Sequence, residues 1–280
     1  MSHGTLYLVP TPIGNPRDIT QRAVDVLTTV GVIAAEDTRH ARTLLRPLGA
    51  SARVLSYYDH NEESRAAQLI EELRTGTDVA LISDAGTPLV NDPGYRLVVA
   101  AVEAGIRVCA LPGANAPLTA LVGSGLPSHA FHYVGFLPRK AAARRAAVER
   151  LRDLSATLIL FEAPHRLAET LDDLRSVLGD RPAAVARNLS KVDEEYLRGP
   201  LSALHARLAE LDTVRGQYTV VVAGAPEDVR PDAEVLADRL AAAILRHGGD
   251  ARLARDVVQE VAGLPRNRAY DLVHEVGARG

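Results

Sequence analysis

Residues 78–97, DVALISDAGTPLVNDPGYRL, decide how this chain is read. Val79–Ile82 is a short apolar run between polar neighbours, the pattern of a buried strand. Asp84-Ala85-Gly86-Thr87-Pro88 follows directly. Gly86 admits a backbone conformation, or a ligand approach, that a side chain would block. Pro88 disfavours helix at Thr87. Asp92-Pro93-Gly94 predicts a helix over Pro93–Ala104, with Asp92 as its cap and Pro93 at the first helical position. Two acids, a hydroxyl and small residues therefore gather at the carboxyl end of a strand, where open α/β sheets bind ligands. A well-capped turn between strand and helix accounts for the same residues without a ligand.

Upstream, the same unit recurs. Thr5–Val9 reads as a strand ending in Pro10-Thr11-Pro12-Ile13-Gly14-Asn15-Pro16, an irregular loop by composition. Thr20 caps a helix to about Thr29, and Val32–Ala35 is a second strand, followed by Glu36-Asp37-Thr38-Arg39-His40. Concentrating that many polar groups at a strand end is costly unless solvent or a ligand meets them. Arg53–Ser56 leads into Tyr57-Tyr58-Asp59-His60-Asn61, and Glu62–Arg74 is an amphipathic helix with Gly76 as a stop. Ile106–Leu111 is the fifth strand. Five βα units in about 110 residues predict a largely parallel sheet covered on both faces, its polar loops on one rim.

Leu111-Pro112-Gly113-Ala114-Asn115-Ala116-Pro117 breaks the rhythm and predicts a domain junction, giving an N-terminal α/β domain over 1–112 and a second over 113–226. In the second half, Leu118–Ser124, Arg139–Leu154 and Leu201–Leu211 read as helices, and a further helix runs to about Val177. Phe131–Val134, Thr157–Phe161, Ala183–Arg187, Glu194–Arg198 and Gln217–Ala223 read as strands, with longer gaps that suggest a mixed sheet. A polar linker, Pro226–Pro231, precedes a helical extension over 227–280. Its helices are Ala233–Arg246, Asp250–Ala262 and Arg266–Val276, a spacing compatible with a helix-turn-helix or with ordinary helical packing.

Composition narrows the class. The chain has 280 residues, 47% of them hydrophobic, and folding should bury roughly three-quarters of its extended surface. A formal charge of −3 argues against strong nonspecific nucleic-acid binding by the whole chain. Locally, Arg139, Lys140, Arg144, Arg145, Arg150 and Arg152 face a single acid, Glu149, which fits a solvated helix or a phosphate-facing patch. No apolar run approaches ~20 residues, and no basic-then-apolar leader is seen. With the single Cys109, a cytoplasmic protein is the expectation. The P-loop, the dinucleotide fingerprint and the G-x-S-x-G elbow are absent. The close pair His129 and His132 has no neighbouring cysteine, so no metal site is expected.

Taken in order, VPTPIGN (Val9–Asn15), AAEDTRH (Ala34–His40), LISDAGTPLVNDPGY (Leu81–Tyr95), LPGANAPLTAL (Leu111–Leu121), GFLPRK (Gly135–Lys140), FEAPHR (Phe161–Arg166) and GQYTVVVAG (Gly216–Gly224) resemble the tetrapyrrole-methylase superfamily, most closely its ribosomal-RNA-methylating branch. The resemblance spans about residues 5 to 225, and the helical tail also resembles that branch. It implies two α/β domains with S-adenosylmethionine in the cleft between them, usually in a homodimer. The implied activity is 2′-O-methylation of a cytidine ribose in the decoding centre of 16S rRNA, on the assembled small ribosomal subunit.

Carried over by motif, the cofactor would meet Pro10, Thr11, Asp84, Gly86, Thr87, Asp92, Pro112, Gly113, Ala114, Ala223 and Gly224. Two departures stand out: Ala114-Asn115-Ala116 after Pro-Gly, and Asn188 where the branch usually has Glu.

A ribose hydroxyl is a poor nucleophile until its proton is shared. Alignment contributes up to ~7–11 kcal/mol in favourable models, and a positioned base ~10²–10⁴-fold. Candidate groups are Asp37, His40, Lys191 and Asp92. Asp37 is the first choice as base, although it also reads as the N-cap of Thr38–Arg46. Arg39, Arg42, Lys140, Arg144, Arg166, Arg266 and Arg268 are the candidates for RNA contacts. Two alternatives stay open: methylation of a small tetrapyrrole, and a noncatalytic nucleic-acid-binding regulator using the C-terminal helices.

Overall fold

In the computed structural model, five four-residue strands form the first sheet: β1 (Thr5–Leu8), β2 (Val32–Ala35), β3 (Arg53–Ser56), β4 (Val79–Ile82) and β5 (Arg107–Ala110). The structure describes residues 3–58, 60–209, 215–226 and 233–279. Asp59, the expected helix end at Leu211 and all but the first residue of the linker expected over Pro226–Pro231 lie outside them. The strands run parallel in the order β3-β2-β4-β1-β5.

Alternation along the strands sorts side chains to two faces. Leu6, Val32, Ala34, Val79 and Leu81 pack on α3 (Glu62–Arg74) and α4 (Tyr95–Glu103). Ile33, Ala80 and Ile82 pack on α1 (Gln21–Thr29) and α2 (Thr38–Leu48). Leu69 and Leu73 of α3 are fully buried, contributing roughly 1.5–3 kcal/mol each. From β1 the chain crosses over β4 to reach β2, and from β4 it crosses over β1 to reach β5. The crevice between β1 and β4 is therefore the topological switch point.

The start of α4 departs from the expectation. The helix begins at Tyr95, behind Gly94 at φ 138°, and Asp92 does not cap it. Glu62, on the first turn of α3, accepts the Gly94 N–H at 2.7 Å instead. That long-range acceptor releases the Asp92 carboxylate for other use.

The second sheet is mixed, as its spacing suggested. Its strands are β6 (Phe131–Phe136), β7 (Thr157–Glu162), β8 (Pro182–Arg187), β9 (Glu195–Pro200) and β10 (Tyr218–Val222), in the order β6-β7-β10-β8-β9. β6 and β7 are parallel, and the other neighbours are antiparallel. One face carries α6 (Ala141–Glu149), α7 (Leu167–Leu178) and α8 (Leu201–Ala209). The other carries α5 (Ala116–Ser124), where Ile13 from the first half also packs. The basic helix expected over Arg139–Leu154 is shorter. After Glu149 the chain tightens into turns, with Leu151 N–H on the Val148 carbonyl and Leu154 N–H on that of Leu151.

Residues 1–224 form one compact unit and 225–280 another. In the second, α9 (Ala233–Arg246), α10 (Ala251–Ala262) and α11 (Arg266–Arg279) enclose Ala237, Ala241, Ala254, Val258, Leu272 and Val273. Asp250 caps α10 by accepting the Leu253 N–H at 2.7 Å. No helix among the described residues is long and apolar enough to cross a membrane.

Candidate active site

The loops leaving β1 and β4 are stitched together across the switch point. Thr11 and Gly86 exchange backbone hydrogen bonds of 2.9 Å in each direction, and the Thr11 hydroxyl donates to the Ser83 carbonyl at 3.1 Å. The loop after β5 joins them, because the Thr87 hydroxyl donates to the Ala114 carbonyl at 3.0 Å. Gly86 holds φ 87°, a left-handed conformation that favours glycine, and a Cβ there would sit tightly against Ile13 at 3.3 Å.

These loops form one wall of a cavity of about 450 Å³, within the usual range for ligand sites. Glu36, Asp84 and Asp92 supply its charge, and Ile13, Val90 and Pro117 its apolar surface. The opposite wall comes from the second sheet: Phe136, Phe161, Glu162, Leu189, Gln217 and Thr219. Asp84 is oriented by the Asp37 N–H, which donates to its Oδ1 at 3.2 Å. Burial pushes the Asp92 carboxyl up to about 6, and the charges of Glu36 and Asp84 act in the same direction, against an opposing Ser83 hydroxyl.

The segment carrying Asp92 is strained. Leu89 and Asn91 both occupy left-handed backbone, at φ 71° and 70°. For leucine this is costly and persists only where surrounding structure enforces it. Here the Tyr133 hydroxyl grips the segment by donating to Asn91 Oδ1 at 2.7 Å. Burial, followed by the nearby Asp92 charge, raises the Tyr133 phenol well above its ordinary range.

Glu162 presents a buried carboxylate that accepts from the Thr170 hydroxyl at 2.6 Å and from Ala163 N–H at 2.7 Å. Its environment is satisfied by structure, so it fixes the end of β7.

Of the cofactor candidates, Asp84, Gly86, Thr87 and Asp92 line the cavity. Pro10 and Thr11 hold it from behind: Thr11 is buried, and Gly113 packs on Pro10 so closely that a Cβ would sit 2.6 Å away. Pro112 is exposed, and this loop faces the cavity with Asn115, Ala116 and Pro117 instead. Ala223 and Gly224 do not line the cavity. β10 runs antiparallel to β7, so its beginning, Gly216–Thr219, meets the cavity. Gly224 lies at the far end, against the Ser155 carbonyl, about 16 Å along the strand from Thr219.

Asp37 caps α2, its Oδ1 accepting Arg39 N–H at 2.7 Å and His40 N–H at 3.3 Å. Those two donors hold its carboxyl below the usual aspartate range, which makes it a weaker base. His40 is exposed on the first turn of α2, and Lys191 lays its side chain against Gly14; neither lines the cavity.

Arg144 and Arg166 are corrected as RNA contacts. Arg144 is only 2% exposed and paired with Asp173 at 2.6 Å. Arg166 donates to the Leu137 and Pro138 carbonyls at 2.9 and 3.1 Å and approaches Glu162 at 3.4 Å. Arg39, Arg42, Lys140 and Arg266 are exposed, and Arg268 lies 3.9 Å from Glu275. Asn188 uses both ends of its amide, donating to Asp193 at 2.7 Å and accepting Gln217 N–H at 3.0 Å, which a glutamate could not do.

Sequence reasoning passed over Glu36, Phe136, Phe161, Glu162, Gln217 and Thr219. All six lie inside the quoted motifs, but nothing local said which of them face inward.

Two α/β sheets enclose a carboxylate-lined cavity at the switch point of the first. The family model Tetrapyrrole (Corrin/Porphyrin) Methylases matches residues 5–205, and the chain belongs to that family. It is 65% identical over 270 residues to ribosomal RNA small subunit methyltransferase I of Micromonospora olivasterospora, covering 96% of this chain and 86% of the relative. To the protein of the same name from Escherichia coli O157:H7 it is 45% identical over 274 residues, covering 96% and 94%. Among solved structures, uroporphyrin-III-C-methyltransferase from Thermus thermophilus matches with TM-score 0.54 and 25% identity, over 79% of this chain and 94% of that one. Diphthine synthase shares the fold, with TM-score 0.61 at 16% identity over 79% and 90%.

Proposed function

We propose that this protein is an S-adenosylmethionine-dependent methyltransferase that modifies a cytidine ribose 2′-hydroxyl in the decoding centre of 16S rRNA, on the assembled small ribosomal subunit. The observation that carries the reading is the cavity itself. Three carboxylates, Glu36, Asp84 and Asp92, converge in a space that Ile13, Val90 and Pro117 make partly apolar. Such a site suits a cationic sulfonium beside an adenosine. The curated relatives, matched over nearly their whole length, supply the acceptor class by their names. Acting on the ribosome places the protein in the cytoplasm, and we carry the expected homodimer as part of the same proposal.

S-adenosylmethionine supplies an activated methyl group on a positively charged sulfur. The chain's own residues do the rest. Asp84, Thr87, Asn115 and Gln217 offer polar contacts for it, while Ile13, Val90 and Leu189 exclude water. We assign Asp92 as the base: an Asp92 oxygen would take the proton of the ribose 2′-hydroxyl as the ribose oxygen bonds the methyl, whose bond to the sulfonium sulfur breaks to leave a neutral thioether, and the carboxyl would then release the proton to solvent.

The direct test is transfer from labelled S-adenosylmethionine to small subunits lacking the mark, with the product mapped by mass spectrometry. A 2′-O-methylcytidine in the decoding centre is expected. Transfer to a corrinoid and none to RNA would reverse the assignment of substrate. Asp84→Ala is expected to weaken cofactor affinity by about 10- to 150-fold, the worth of a hydrogen bond to a charged group, in a protein of unchanged melting temperature. Calorimetry checks this, and an unaltered Kd removes Asp84 from the site. The exposed Arg39, Arg42 and Lys140 are expected to make phosphate contacts, so each alanine variant should flatten the salt dependence of subunit binding by about one unit of slope.

A further inference from the structure

The chain has three phenylalanines and no tryptophan, yet two of the three, Phe136 and Phe161, line the cavity. Phe136 is 53% exposed, so an aromatic face is open to a ligand in the cavity. Its placement is built. The β6–β7 register shifts between Tyr133 and Gly135, and such a bulge re-aims the side chains that follow it. Gly135 is buried at φ 71°, and a Cβ on it would lie 2.6 Å from Asn91 Oδ1. Its missing side chain therefore lets the segment carrying Asp92 sit against β6, beside Phe136. Phe161 backs the ring at 5.6 Å between centroids and is itself braced edge-on by Tyr133 at 5.5 Å. Arg166 holds the Leu137 and Pro138 carbonyls, fixing the chain between Phe136 and the exposed Arg139 and Lys140.

We propose that Phe136, backed by Phe161, is the platform on which the target nucleobase stacks, with Arg139 and Lys140 taking the phosphates that flank it. This rests on the reading of the protein as an RNA methylase and names the part of that site which holds the acceptor. Two observations favour the acceptor base over the cofactor's adenine. Cations follow the ring within four residues, and S-adenosylmethionine carries no phosphate for them to meet. The ring also adjoins the segment that presents the assigned base, where the acceptor ribose must lie. Stacking on an exposed aromatic face is how splayed-out bases are commonly held.

The test compares Phe136→Ala, Phe136→Leu and Phe136→Tyr in methyl transfer to unmodified small subunits, alongside S-adenosylhomocysteine binding by calorimetry. Phe136→Ala is expected to raise the KM for subunits by about 5- to 150-fold, the range for loss of one stacked base. Phe136→Leu, with apolar bulk but no aromatic face, should stay impaired; Phe136→Tyr should restore wild-type KM. S-adenosylhomocysteine affinity should not change in any of the three. An unchanged KM in Phe136→Ala, full activity in Phe136→Leu, or a matching loss of S-adenosylhomocysteine affinity overturns the platform. Absence of transfer by the wild-type protein overturns the functional reading and takes the platform with it. Normal wild-type transfer with an indifferent Phe136 defeats the platform alone.

Discussion

Asp92→Asn is expected to slow methyl transfer by about 10²–10⁴-fold, the usual contribution of a positioned base, without unfolding the protein. Asp92 does not cap α4, because Gly94 N–H goes to Glu62, so its carboxylate remains in the cavity with Glu36 and Asp84. Burial and those two neighbouring charges raise its pKa from 3.8 to about 6. A carboxylate so tuned is more basic than an ordinary aspartate and still mostly ionised at neutral pH. The base must be unprotonated, so kcat/KM should fall as pH drops through about 6, and the asparagine variant should lose that limb. Asp37 has the opposite tuning, its pKa lowered by two backbone donors, and Asn there would still cap α2. A pH limb that survives in Asp92→Asn would reject the assignment.

Stability provides an independent check with a definite sign. The folded-state pKa lies above the unfolded value, so folding favours protonated Asp92. Its charge costs nothing below pH 3.8, and the cost grows as pH rises until it is complete above about 6. At pH 8 the asparagine variant should therefore melt no lower than the wild-type protein. Loss of activity accompanied by equal or higher stability is the signature of a group held for function.

What the sequence made legible follows a physical line. Period and capping are local, so all five strands of the first sheet and the Thr20 cap of α1 could be read from neighbours alone. The rim of loops was legible too, since parallel βα units leave their carboxyl ends on one side. The direction of β10 within the second sheet was not legible. The motif over Gly216–Gly224 was recognised, but only the antiparallel pairing of β10 with β7 shows that its first residues face the cavity. Long-range partners were equally hidden. Local rules gave Asp92 to a helix cap because nothing in its neighbourhood announces Glu62, whose side chain reaches Gly94 across 32 residues of sequence. The run of basic residues after Gly135 looked uniform, yet Lys140 is exposed and Arg144 is buried.

Arg144→Ala is expected to destabilise the protein by about 3–5 kcal/mol, the cost of breaking a buried ion pair from one side. Arg144 Nε donates to Asp173 Oδ2 at 2.6 Å, its Nη2 reaches Glu169 at 3.3 Å, and its Nη1 donates to the Arg139 carbonyl at 3.2 Å. The side chain of Asp173 is only 8% exposed, so removing Arg144 leaves a buried carboxylate short of its closest partner. Arg145 still reaches Asp173 at 3.1 Å, but from a half-exposed position, which places the expected loss toward the lower end of the range. For a unit of this size the melting temperature should fall by roughly 6–12 °C. Changing Arg144 to Met and Asp173 to Leu together should recover much of that, because an apolar pair leaves no charge stranded. Subunit affinity, measured well below the melting transition, should be unchanged in Arg144→Ala. Lys140→Ala should show the reverse, with normal melting and weaker, less salt-sensitive binding. Two basic residues four apart would then separate into one that holds α6 on α7 and one that faces RNA. A stable Arg144→Ala protein with weakened RNA binding would return Arg144 to the interface.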